Sequence, residues 1–342
     1  MIREPEPEVV VAIPTLTGGD KLRRCVESVL KQTQCSLRVL VVEDGVADVA
    51  AAAIDGSDVS IVTLPRNRGY AAALNAAIME SSSPFVLALN DDTVMDPDCV
   101  KHLLETLKRH PNVSACAPKI VRQGRDTLDS AGMAVASDGT CIQRGYGELP
   151  SRFRTLEEVF CASGCAALYR RSALEDAGFF DESLFLYCED SDVGMRCARL
   201  GWTCQYVPDA VVYHEYSATV GPASLRKLYL VERNRILVNF KNLSWSVFLA
   251  SFGFAFWRYG LHAFSFASGR GLEGRARREE GVSAVSLFAT LARAHWDAFV
   301  RLPGLWPERR RLDRLARMSR GEFAKSLRRY RIPLASIAGR HD

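Results

Sequence analysis

The sequence predicts an α/β fold, a Rossmann-like, mixed but mainly parallel sheet flanked by helices, followed by a C-terminal helical appendage. Three observations predict it. Unbroken apolar runs rich in β-branched residues recur through the first hundred positions, as strands buried on both faces do. Stretches with apolar residues at three- and four-residue spacing separate them, so strand and helix alternate. After Ser224 the pattern changes to long helical stretches, one of them crowded with aromatic residues.

Val9-Val10-Val11-Ala12-Ile13 is the first strand, ended by Pro14. From Lys21 to Lys31, Leu22, Cys25, Val26, Val29 and Leu30 fall on one helical face. Leu37 to Val42 is the second strand and runs into Glu43-Asp44-Gly45; Ile61 to Leu64 is the third. An alanine-rich helix spans Tyr70 to Glu80, and Phe85 to Leu89 is a fourth strand ending in Asn90-Asp91-Asp92. Asp96 and Pro97 are expected to open the next helix as N-cap and first residue. Short strands and glycine turns follow from Lys119 to Tyr169, then a helix over Ser191 to Leu200 and a strand at Gln205 to Val207. The expected division is a catalytic domain over 1–224, its halves meeting near 118, and a helical region over 225–342. The boundary falls near 220–225.

With 342 residues, 48% hydrophobic and 25% charged, the chain has room for one large domain and an appendage. A net charge of +4 gives no global reason to expect nucleic-acid binding. The cations are concentrated: Arg301 to Asp342 holds twelve Lys/Arg against four Asp/Glu. The ten cysteines form no CxxC pair, which favours free thiols in a reducing compartment over zinc. The first eight residues lack the basic and then apolar run of a signal peptide, so a cytoplasmic location is expected.

In parallel sheets, ligands bind beyond the carboxyl ends of the strands. Leu89-Asn90-Asp91-Asp92-Thr93 sets two carboxylates at such an end, where a hard cation would bridge them to a diphosphate. A solvated, helix-capping turn has the same residues. Asn67-Arg68-Gly69-Tyr70 reads either as a strand–turn–helix connection or as a phosphate site at a helix N-terminus. Asp44 is either a turn former or an acceptor for a nucleobase or ribose.

In order, Pro14-Thr15, Glu43-Asp44-Gly45 with Asp48, Asn67-Arg68-Gly69-Tyr70 and Leu89-Asn90-Asp91-Asp92 resemble the donor half of family 2 glycosyltransferases, which have the GT-A fold. The resemblance implies that Thr15 and Asp44 touch the base, that Asp91 faces the ribose and that Asp92 ligates the metal, Mn2+ or Mg2+. Pro14, Asn67, Arg68 and Gly69 belong to the same nucleotide-sugar site. Two positions depart from the pattern: Leu16 stands where many members have Asn, and Asn90 replaces the first Asp of a strict DxD.

Gly178-Phe179-Phe180-Asp181-Glu182, leading to Glu189-Asp190-Ser191-Asp192, resembles the acceptor half of that family. There the second acid of the Glu-Asp pair is the general base, which maps to Asp190, with Glu189 and Asp192 in support. A sugar hydroxyl is a poor nucleophile until a carboxylate takes its proton. Read as a plain helix start, Asp190 would be an N-cap instead. Gly164, within Ala162 to Arg171, resembles the small-residue segment behind the acceptor. Val211 to Glu215 resembles a strand ending in a histidine, His214, that joins the metal shell or the diphosphate.

Trp245 to Ser268 is interrupted by Arg258 and His262, which argues against a transmembrane span. An interfacial helix beside Arg-rich helices, giving peripheral membrane contact through 245–342, is one reading. A helical subdomain packing its aromatics inward is the other. Arg233-Asn234 resembles a pair shared by bacterial polysaccharide-assembly members, whose acceptors are lipid-carried. The resemblance covers about residues 9–243. It implies an inverting, metal-dependent transfer from a nucleotide-diphosphate sugar to a hydroxyl of a glycan or lipid-linked glycan. Leu89 to Asp92 and Arg144 to Glu148 suggest dTDP-rhamnose as donor, with a UDP-sugar (galactose, glucose or an aminosugar) as alternative. The non-enzyme alternative is a degenerate sugar-nucleotide-binding scaffold. No Gly-x-Gly-x-x-Gly follows the first strand, which disfavours an NAD-dependent dehydrogenase.

Overall fold

The computed structural model describes residues 6–54, 58–215, 224–268 and 282–333. It divides into two compact units, Met1–Met133 with Gln143–Tyr216 and Ala134–Ile142 with Ser217–Asp342. Residues 216–223, where the sequence changes character, lie outside the described residues.

The first unit begins β1 (Val9–Thr15), α1 (Gly19–Leu30), β2 (Leu37–Asp44), β3 (Val59–Leu64), α2 (Tyr70–Met79), β4 (Phe85–Leu89), β5 (Thr93–Met95) and α3 (Cys99–Arg109). It continues through β6 (Val113–Arg122) and β7 (Leu128–Ser130) and, after β8 (Met133–Val135) and β9 (Cys141–Gln143), most of which belong to the second unit, through β10 (Glu157–Val159), β11 (Ala166–Arg170), α4 (Arg171–Ala177), α5 (Glu189–Arg199) and β12 (Thr203–His214). β8 and β9 form a separate two-stranded sheet. The main sheet runs β10-β12-β6-β11-β4-β1-β2-β3, with β5 added to β12 and β7 to β6.

β1 is buried at every position because it lies between parallel β2 and β4. Val9, Val11 and Ile13 face a core shared with Leu22, Val26 and Val29 of α1 and Leu103 and Leu107 of α3. The alternate residues Val10 and Ala12 point the other way, toward the side where α2 lies against β1. Each such fully buried Val or Leu contributes roughly 1.5–3 kcal/mol. The chain leaves β1 for β2 and β3 on one side and returns to β4 on the other. The carboxyl ends of β1 and β4 therefore border a crevice, the usual ligand site of such sheets. Pairing of β1 with β4 ends at Ala12, so Pro14 sits beyond that ladder, still in register with Val42 of β2.

The expected strands and helices are present with shifted ends, and two differences have physical reasons. The third helix starts at Cys99, not Pro97, because the Asp98 carboxylate accepts the Thr33 hydroxyl and the Cys99 amide bonds the Asp96 carbonyl. Helix α5 starts at Glu189, so Asp190 lies inside its first turn and Cys188 is the N-cap.

The second unit holds α6 (Leu225–Asn242), α7 (Trp245–Ser268), α8 (Ala284–Arg301), α9 (Trp306–Leu315) and α10 (Arg320–Ser326). Arg258 of α7 does not interrupt the fold but anchors it. Its guanidinium donates to Asp138 Oδ2 and Glu232 Oε1, both at 2.6 Å, and Arg235 also bonds Glu232. Among the described residues no helix is long and apolar enough to cross a membrane.

Candidate active site

At the β1/β4 crevice the Thr15 hydroxyl donates to Asp91 Oδ2 at 2.6 Å. Burial pushes the Asp91 carboxyl up to about 6, against the pull of that hydrogen bond and of Lys21. Beside it, Asp44 closes the next loop: its two oxygens accept the amides of Arg68 and Gly69 at 2.6 and 2.8 Å. The Asn67 side chain accepts the same Gly69 amide at 3.1 Å. Arg68 extends to Glu182, both half exposed. Gly69 has φ of 89°, and a Cβ there would lie 2.2 Å from the Phe185 carbonyl oxygen, so only glycine fits. Glu43, next to Asp44, is taken by the Ala50 amide and the Thr63 hydroxyl and is structural.

Asp92 meets His214 through strand register. β5 pairs antiparallel with β12, placing His214 opposite Thr93, and the Glu215 amide bonds the Asp92 carbonyl at 2.9 Å. His214 Nε2 lies 3.3 Å from Asp92 Oδ1, and its Nδ1 lies 2.7 Å from Asp129 Oδ2. Burial works against a charged ring here, but Cys165, Asp129 and Asp92 outweigh it and raise the histidine pKa. A carboxylate and an imidazole side by side suit a divalent cation such as Mn2+. With Asp129 accepting Nδ1–H, Nε2 would present its lone pair beside Asp92 once the cation takes the place of the second ring proton. The residues fit such an ion.

The second acidic pair opens α5. Asp190 Oδ2 accepts the Gly164 amide at 2.8 Å, and Oδ1 accepts the Ser191 amide and hydroxyl at 2.6 and 3.1 Å. Burial raises the Asp190 carboxyl. It also raises Glu189, to about 8, with the Asp190 charge adding to the shift. Glu189 Oε2 is buried and has no hydrogen-bond partner. A Cβ on Gly164 would come within 3.3 Å of both carboxylates. The loop leading in is strained: Phe185, Tyr187 and Cys188 all have φ between 67° and 69°. Such non-glycine conformations cost about 1–3 kcal/mol each and gather at functional sites.

Residues 163–165 join the two clusters. The Asn90 amide donates to the Cys165 carbonyl at 2.9 Å, one residue from the Gly164 amide that holds Asp190. The Tyr70 hydroxyl donates to the Gly164 carbonyl at 2.6 Å. Thr15, Asp44, Asn67, Arg68, Gly69, Asp91, Asp92, Gly164, Glu189, Asp190 and His214 thus belong to one connected region. Asp192, fully buried, bonds Arg196 within α5, and its charge adds to the rise of the Glu189 carboxyl. Sequence reasoning missed Asp129 and Tyr70. Asp129 sits on a three-residue strand with no pattern to mark it; Tyr70 was read only as the end of a signature.

The family model described as Glycosyl transferase family 2 matches residues 10–178. The chain is similar to an N-acetylglucosaminyl-diphospho-decaprenol L-rhamnosyltransferase of Mycobacterium tuberculosis, 31% identical over 242 residues, 63% of this chain and 78% of that one. It is also similar to a poly-beta-1,6-N-acetyl-D-glucosamine synthase of Staphylococcus epidermidis, 28% identical over 59% of this chain and 48% of that one. Among solved structures it resembles a mannosyltransferase from Pyrobaculum calidifontis in complex with GDP-Man and Mn2+. That likeness has a TM-score of 0.51 at 18% identity and covers 90% of this chain and 92% of the other. At such identity the likeness is one of fold, a GT-A-like sheet with flanking helices.

Proposed function

This chain belongs to glycosyl transferase family 2, and on that footing we propose an inverting, metal-dependent transfer of a sugar from a nucleotide-diphosphate donor of the dTDP-rhamnose type. The acceptor is a hydroxyl of a glycan, carried on a lipid diphosphate at the inner face of a membrane. The donor and acceptor follow the rhamnosyltransferase relative. The observation that carries the reading is the tie through Gly164 and Cys165, which sets Asp190 beside the Asn90–Asp92 turn.

In this reading Thr15 and Asp44, with Pro14 and the Asn67-Arg68-Gly69 turn, border the nucleotide, and Asp91 accepts hydrogen bonds from the ribose. Asp92 and His214 hold the cation and Asp129 orients the ring. When bound, the cation supplies positive charge against the departing diphosphate. The Asp190 carboxylate takes the proton of the acceptor hydroxyl. The acceptor's hydroxyl oxygen bonds to the anomeric carbon from one face while the bond to the diphosphate oxygen breaks on the other, inverting the centre. Gly164 and Ser191 amides keep the Asp190 oxygens aimed. Burial and the Asp190 charge make Glu189 hold its proton more tightly than an exposed glutamate does, which lowers the negative charge beside Asp190. Residues 245–342 supply peripheral contact with the membrane.

A panel of dTDP-, UDP- and GDP-sugars, scored by released nucleotide diphosphate with EDTA and metal add-back, tests the reading. Turnover of dTDP-rhamnose with product of opposite anomeric configuration is expected. Turnover of UDP-N-acetylglucosamine alone would move the donor to the UDP alternative, and a retained configuration would end the single-displacement mechanism.

A further inference from the structure

Helices α7 and α8 each bury one face in folding and leave a second apolar face uncovered. On α7, Phe248, Ser251, Ala255 and Arg258 are buried. On its other side Leu249, Gly253, Phe256, Trp257, Gly260 and Phe264 follow one another at helical steps, with no charged residue among them. Leu249, Phe256, Trp257 and Phe264 are 63–68% exposed. On α8, Ala294 and Ala298 are fully buried, whereas Val285, Phe288, Trp296 and Val300 are 62–77% exposed, again at helical spacing.

The two stripes share a seam. Phe252 stacks on Phe299 with ring centroids 5.7 Å apart, and Tyr259 meets His295 edge-on at 6.0 Å. Phe256 lies one turn after Phe252, and Trp296 one turn before Phe299, so both stripes border that contact. Scattered exposed apolar residues need no explanation, but a continuous aromatic surface marks an interaction site.

Arginines accompany it in the chain. Arg310 lies over the Trp306 ring at 5.3 Å, and Trp306 packs against Trp245 at the start of α7. Arg301, Arg311 and Arg314 are exposed in the same stretch of sequence, while Arg293 is paired with Asp297 at 3.8 Å. From Arg301 to Asp342 twelve Lys/Arg stand against four Asp/Glu. That surplus of one sign disfavours a second copy and suits an anionic lipid surface against the apolar face.

We infer that the α7–α8 face docks on an anionic phospholipid bilayer, its aromatic side chains entering the headgroup–acyl boundary and its arginines binding the headgroups. This rests on the reading of a lipid-linked acceptor and names the surface that reaches it.

Flotation of the full chain with phosphatidylcholine vesicles, with and without phosphatidylglycerol, is the test. Recovery with the anionic vesicles is expected to exceed that with neutral ones about tenfold and to fall with added salt. The double variant Phe256→Asp/Trp296→Asp should lose about tenfold or more of that binding with an unchanged melting temperature. Arg310→Glu/Arg311→Glu should lose the preference for anionic lipid. The inference is overturned if the chain floats with neither vesicle, or if the aspartate variant floats like the parent. It is equally overturned if the parent is a dimer that the aspartate variant dissociates while no vesicle is bound. Donor turnover with a soluble acceptor, measured on the same preparations, judges the transferase reading separately. A chain that turns over donor but never floats loses only this inference.

Discussion

Asp190 and Glu189 are neighbours in sequence, yet the structure gives them different work. Asp190 accepts three hydrogen bonds that stabilise its ionised form, from Gly164 and Ser191; Glu189 Oε2 accepts none. Replacing Asp190 by Asn is expected to lower kcat by ~10²–10⁴ while stability changes by no more than ~1 kcal/mol. A melt and a rate measurement on the same sample separate a base from a carboxylate that only steadies the first turn of α5. Glu189 makes a pH-dependent prediction. Its carboxyl is raised from 4.5 to about 8 by burial and by Asp190. Between those values the unfolded chain sheds the proton that the folded chain keeps, so stability falls as pH rises through the window. Glu189→Gln should remove that slope and become the more stable protein toward the upper end, by on the order of 2–4 kcal/mol. Parallel stability curves for the two proteins would mean that the folded chain does not hold this proton. The acidic pair was legible from the residue order, but its division of labour was not, because it depends on a glycine amide 26 positions away.

At the scale of elements, β1, β2 and β4 were legible because burial on both faces leaves no polar alternation to misread. Helix starts were less so: Asp98, held by Thr33, moves the start of α3 past the Asp-Pro signal. Contacts between short elements left no local trace. Gly69, at the mouth of α2, touches the Phe185 carbonyl of the strained loop before Glu189. Gly69→Ala would force a positive φ on a Cβ-bearing residue and push it into that carbonyl. A loss of ~2–4 kcal/mol in urea unfolding is expected, with kcat reduced because the displaced loop leads into Asp190. An unchanged unfolding midpoint would show that the loop yields freely. Asp129, on β7, reaches His214 only because β6 carries β7 on one side and β12 on the other. Asp129→Asn should weaken Mn2+ binding about 10–100-fold in an EPR titration, a readout independent of turnover. Undiminished binding would remove Asp129 from the orientation of the ring.

For the whole molecule, the sequence foretold a sheet domain and a helical region, and it marked Arg258 as a charge out of place in an aromatic helix. What it could not supply was the partner. Asp138 lies 120 positions earlier, in the segment 134–142 that clusters with the C-terminal helices. Glu232 completes the group. Its burial alone would raise its carboxyl, but Arg258 and Arg235 overcome this and lower it to about 2. Removing one partner of such a buried group leaves the others uncompensated, so Glu232→Gln should destabilise the C-terminal unit by about 3–5 kcal/mol at neutral pH. The acid behaviour gives an independent check. Above 4.5 the native ion pairing is fully present; as pH falls from there toward 2 the unfolded chain takes up a proton first, and the stabilisation drains away. The glutamine variant starts lower but lacks this part of the acid slope, so calorimetric melts of the two proteins should converge on acidification. Curves that stay a constant distance apart would assign the loss to packing around residue 232 and not to its charge.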